Sequence, residues 1–63
     1  MADSKAWARD KMLGTETWTS GKEFTGSRMA SVTGLNRATV MAELSRMVQD
    51  GEADYLEPIR ING

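Results

Sequence analysis

Any chemistry in this chain has to be done without cysteine and without histidine, because its 63 residues contain neither. That removes the disulfide, the thiolate nucleophile, the commonest metal ligands and the commonest general base. Serines, threonines and carboxylates remain, but a serine nucleophile with no adjacent base is weak, and scattered surface carboxylates are not a catalytic pair. No enzymatic activity, bound metal or cofactor is expected. What the chain does offer is a set of residues that bind: Asn36, Arg37, Ala38 and Thr39 in a row, then Ala42 and Arg46, with Lys22, Thr25 and Arg28 upstream. The planar fork of arginine fits a phosphate or the O6 and N7 edge of guanine, an alanine methyl packs on a thymine methyl, and hydroxyls and amides bond to phosphate or base edges. Together these types point to double-stranded DNA.

Two short helices joined by a glycine corner would hold these residues. Thr25 can cap a helix over 26–33 that carries Met29, Ala30 and Val32, and Gly34 can end it in the left-handed conformation that glycine adopts without steric cost. Asn36 restarts the chain, its side-chain oxygen able to accept from the amide of Ala38 or Thr39. The following helix, over 37–50, has an inner stripe of Val40, Leu44, Met47 and Val48, with Leu35 filling the corner and Gly51 as the stop. On a helical wheel this turns Ala38, Ala42, Ser45 and Gln49 directly outward, flanked by Thr39 and Arg46, and small residues there let a helix sink into the major groove.

The run Met29-Ala30, then Thr33-Gly34-Leu35-Asn36-Arg37-Ala38-Thr39-Val40, with Leu44 and Met47-Val48 ahead of Asp50-Gly51, resembles the winged helix-turn-helix domains of bacterial and phage transcription regulators. In that family a small residue follows the apolar position of the first helix because the two helices cross closely there, and Ala30 stands at that place. Asn36 stands where serine is commoner. Simple phage-repressor motifs have their next inward position three residues after the valine; that position is Glu43 here and the inward residue is Leu44, which favours the longer recognition helix of winged domains. The resemblance implies that the start of the second helix reads bases through Asn36, Arg37, Ala38, Thr39 and Ala42. Arg37 is placed for guanine or for a phosphate, and Thr39, Arg46, Arg28, Lys22 and Thr25 for the phosphate backbone. Plainer roles stand beside these: Asn36 is a helix cap first, Arg46 can pair with Glu43 or Asp50, and Met29, Met41 and Met47 are core filler or interface.

The rest of the chain reads as support. A first helix over 3–13, capped by Asp3 or Ser4 and ended by Gly14, would bury Trp7, Met12 and Leu13. The segment Thr15–Thr19 leans to β structure and could supply a first strand, with Trp18 inward. Ser20 to Glu23 spells a capping box, but Gly21 and Gly26 would each cost about 1 kcal/mol inside a helix, so a loop or single turn at 20–24 is favoured. After Gly51 the pattern alternates over a wing strand at 53–61, Tyr55, Ile59 and Ile61 on one face and Leu56, Pro58 and Arg60 on the other. Asn62-Gly63 is a hairpin-turn signal, so the wing reads as stopping before its return strand, with an apolar edge open to a second copy or a partner protein. The expectation is one mainly α (α+β) domain over 1–63, a three-helix helix-turn-helix core with a short, incomplete β wing.

Charge qualifies the nucleic-acid reading. The net charge is −1, yet Lys5, Arg9, Lys11, Lys22, Arg28, Arg37 and Arg46 outweigh the acids up to residue 49, while Asp50, Glu52, Asp54 and Glu57 face only Arg60 beyond it. A wing this acidic would be repelled by DNA and is not expected to be the main contact, and so few cations imply weak binding by one copy. A dimer or a partner would then raise the affinity. No apolar run approaches the ~20 residues of a membrane span, and no signal-peptide core is present, so a cytoplasmic regulator or replication factor, on the nucleoid or in a phage-infected cell, is expected. The competing reading is a winged-helix module for protein contacts, a homodimer or an adaptor with little DNA affinity.

Overall fold

The chain builds its centre from a helix whose two ends are closed by its own side chains. In the computed structural model, which describes residues 4–63, α2 spans Gly26–Thr33. The Thr25 hydroxyl oxygen accepts from the Arg28 amide at 3.0 Å, and Gly34 closes the helix at φ 74°, its amide donating to the Ala30 carbonyl. The Thr33 hydroxyl donates to the Met29 carbonyl at 2.7 Å and accepts from the Leu35 amide at 3.2 Å, so the corner is braced from inside. Asn36 then caps α3, Arg37–Gln49, its Oδ1 accepting from the Ala38 amide at 2.7 Å.

A further helix, α1 (Ser4–Leu13), precedes this pair, and three short strands surround it: β1 (Glu23–Phe24), β2 (Ala53–Asp54) and β3 (Ile59–Ile61). The strands form an antiparallel sheet in the order β1-β3-β2, with Phe24 opposite Ile59 and Ala53 opposite Ile61. The fold is α+β, a three-helix core with a small sheet at one side. Met12, Phe24, Met29, Val40, Leu44, Met47, Ile59 and Ile61 meet in one buried cluster, so every element except the two-residue β2 contributes a large apolar side chain. No helix among the described residues is long and apolar enough to cross a membrane.

Several expectations need correction. The predicted start of the first helix at Asp3 lies outside the described residues. Within α1 the core takes Ala8 and Met12, one turn apart, which turns Trp7 to solvent at 56% exposure; Leu13 is also exposed. Lys11 lies over the Trp7 ring, 5.0 Å from its centroid, which is a surface cation–π arrangement in place of burial. Residues Thr15–Thr19 form turns, and the first strand is β1, placed by pairing with β3 and not by local β propensity. Trp18 is half-buried against the core and tilts on Phe24 with ring centroids 5.9 Å apart. The return strand expected to be missing is present: the chain turns back between Asp54 and Ile59, so β3, which carries Ile59 and Ile61, is the central strand and is paired on both sides. Tyr55 sits in that turn and is exposed, while Ile59 and Ile61 are buried.

Candidate nucleic-acid interface

The geometry of α3 follows from what it buries. Val40, Leu44 and Met47 are fully enclosed and Val48 is half-buried, so the opposite side of the helix, with Ala38, Ala42 and Gln49, lies in solvent. Arg37 and Arg46 are exposed on the same helix, and Ser45 and Thr39 are half-buried at its flanks. Ala38, Ala42 and Gln49 share one exposed face, with Arg46 and the half-buried Thr39 on one flank, while Arg37 is exposed at the first turn, on the opposite side of the helix from Arg46. Asn36 is exposed at the head of the helix, its oxygen committed to the cap and its side-chain nitrogen a donor with no partner among the described residues. Thr25 and Arg28 are exposed at the start of α2, and Lys22 just before β1, where its Nζ donates to the Glu16 carbonyl at 3.4 Å.

Two contacts fix how α3 sits on its neighbours. Gly26 is buried against Met41: a Cβ built there would lie 2.4 Å from Met41 Sδ, so only glycine permits this approach of α2 to α3 without a shift. On its other side the Met41 sulfur accepts from the Tyr55 hydroxyl at 3.6 Å, which ties the turn of the β2–β3 hairpin to the helix. Met41 is thus a joint between α2, α3 and the hairpin.

The ion pairs are distributed unevenly. Arg9 on α1 pairs with Glu52, and Arg60 on β3 with Glu23 at 2.9 Å. In each case the hydrogen bond to the carboxylate raises the guanidinium above its ordinary value. Arg28, Arg37 and Arg46 make no ion pair among the described residues. The Arg46 guanidinium in particular makes no ion pair with Glu43 or Asp50. Pairing consumes cations on α1 and β3 and two of the acidic groups, and leaves the arginines of α2 and α3 to solvent.

Leu44 is expected to face inward in place of Glu43, yet both are buried, so the contrast drawn between these two positions does not hold. Glu43 is only 3% exposed, and its Oε2 is buried with no hydrogen-bond partner. A wheel could have shown this, because Glu43 falls about 40° from Met47, inside the stripe that the apolar residues define. The Arg9–Glu52 pair and the Tyr55–Met41 contact have no local signal at all, since each joins residues from distant segments. In three comparisons with known proteins, no family model, no curated protein and no solved structure matches the chain.

Proposed function

We propose that the chain is a winged helix-turn-helix domain that binds double-stranded DNA sequence-specifically, as a small regulator or replication factor of the bacterial or phage type working in the cytoplasm. The observation that carries this reading is the exposed face of α3, with small residues along its centre, Arg46 on its flank and Arg37 at its first turn, neither arginine in an ion pair among the described residues. A narrow helix with small outward side chains can enter the major groove, where alanine methyls meet thymine methyls and an arginine fork meets guanine or phosphate. The order helix, strand, helix, corner, helix and hairpin also agrees with what the resemblance implies. Arg28, Lys22 and Thr25 serve the phosphate backbone beside the head of α2, and the hairpin, with Asp54 and Glu57, stays outside the main contact.

A different observation favours protein contact as the second reading. Trp7 and Leu56 are large apolar side chains left in solvent, Leu56 at 62% exposure, and either could meet a second copy or a partner protein. A mobility-shift assay at low salt on a pool of random duplexes separates the two. The DNA reading predicts retention that Arg37→Ala with Arg46→Ala abolishes while the helical circular dichroism stays unchanged. A native chain that is not retained gives the protein-contact reading precedence.

A further inference from the structure

Between the α1–β1 loop and α2 lies an open groove of about 450 Å³. Its lining is of two kinds. Phe24 and Val32 are apolar, and Val32, in the last turn of α2, is 41% exposed. Thr17 and Arg28 are polar and unclaimed. Thr17 is only 7% exposed, yet its hydroxyl makes no hydrogen bond among the described residues, whereas the neighbouring Thr15 hydroxyl is committed to the Met12 carbonyl at 2.8 Å. The Arg28 guanidinium has no carboxylate partner among those residues. Two acids also line the groove, but Glu23 is held by Arg60, and Lys22, whose Nζ bonds to the Glu16 backbone carbonyl, adds a second cation to the groove against the Glu16 carboxylate.

The groove is built before any ligand arrives. The Thr19 hydroxyl donates to the Glu16 carbonyl at 2.9 Å, the Lys22 amide to the Thr19 carbonyl at 2.9 Å, and the Gly21 amide to the Ile61 carbonyl at 3.0 Å, so the loop is pinned to itself and to β3. Its volume lies within the ~300–1,000 Å³ typical of small-molecule sites.

We infer that this groove binds a small organic carboxylate with an apolar body. Arg28 takes the carboxylate as a charge-assisted pair, the Thr17 hydroxyl donates to it, and the body lies against Val32 and Phe24. A bare inorganic anion would leave Val32 in water, whereas a carboxylate with an apolar body covers it. The consequence for DNA rests on the function proposed above: a carboxylate on Arg28 withdraws one phosphate contact, so ligand and duplex weaken each other by the same factor.

The test needs no DNA, and so stands or falls separately from that function. The full chain is titrated with 3-phenylpropionate and with octanoate while amide NMR shifts are followed, with 3-phenylpropanamide as the uncharged control. Saturable shifts at Thr15, Thr17, Arg28 and Val32 are expected, with the amide control and the Arg28→Gln variant each binding about tenfold more weakly. Val32→Ser should weaken binding as well, without moving shifts elsewhere. The inference is overturned if neither carboxylate gives saturable shifts up to about 10 mM, or if Arg28→Gln binds as tightly as the native chain.

Discussion

Under the proposed function Lys22, Arg28, Arg37 and Arg46 are the cations offered to phosphate, and their number sets how steeply binding should fall with salt. Each neutralised phosphate of B-DNA contributes about −0.9 to the slope of log affinity against log salt, so these residues together give a slope near −3.6. Between about 50 and 200 mM salt that slope corresponds to roughly a 150-fold loss of affinity. Removing the two α3 arginines, Arg37→Ala with Arg46→Ala, should reduce the slope to about −1.8 and the loss across the same range to roughly 12-fold. Both side chains are exposed and make no ion pair among the described residues, so the substitutions should leave the fold intact. Fluorescence anisotropy of a labelled duplex over a salt series measures the slope directly, and circular dichroism confirms the helices. A native slope near zero, or a slope unchanged by the double substitution, would refute the assignment of α3 to the phosphate backbone.

Three further outcomes concern the scaffold. Gly34 adopts φ 74° with nothing near its absent side chain, so Gly34→Ala should cost about 1 kcal/mol from conformation alone, and Gly34→Asn distinctly less, as read by urea unfolding. Glu43 buries a carboxylate with an unpartnered oxygen; Glu43→Met should be neutral or up to about 2 kcal/mol stabilising, and a loss above about 1 kcal/mol would mean that its field on Arg9 matters more than its desolvation. Gly26→Ala gains helix propensity but must displace the flexible Met41 side chain, so the two effects should nearly cancel, whereas in a Met41→Ala background the same change should stabilise by about 0.5–1 kcal/mol; additive effects in that double-mutant cycle would contradict the joint at Met41.

The parts of the fold that were legible in the sequence are those whose physics is local. Thr25, Gly34 and Asn36 satisfy helix ends with atoms no more than four residues away, so type and spacing alone announced the corner between α2 and α3. The inner stripe of α3 was legible in the same way, save for Glu43, whose charge argued against a position its wheel angle assigns to the interior. The errors fall where partners are remote. Thr15–Thr19 has the greater β propensity, but a strand needs a neighbour, and β3 offers its edge to Glu23–Phe24. The hairpin turns at Tyr55–Pro58, where no strong turn dipeptide stands, while the Asn62-Gly63 signal goes unused and Asn62 instead donates to the Gly51 carbonyl at 3.1 Å. Trp7 was assigned to the core on size, yet on α1 the smaller Ala8 and the flexible Met12 fit the approach to α3. Of the interface, the arginines of α3 were readable as residue types, but their freedom from ion pairs was not, because it depends on Arg9 and Arg60 having reached Glu52 and Glu23.

The central claim is that α3 presents the DNA-binding surface, and amide chemical-shift mapping with a duplex from the random pool tests it most directly. The account predicts shifts concentrated at Arg37, Ala38, Thr39, Ala42 and Arg46, with smaller ones at Thr25 and Arg28, all vanishing at high salt. Shifts centred on Trp7 or on Tyr55 and Leu56, with α3 silent, would contradict it.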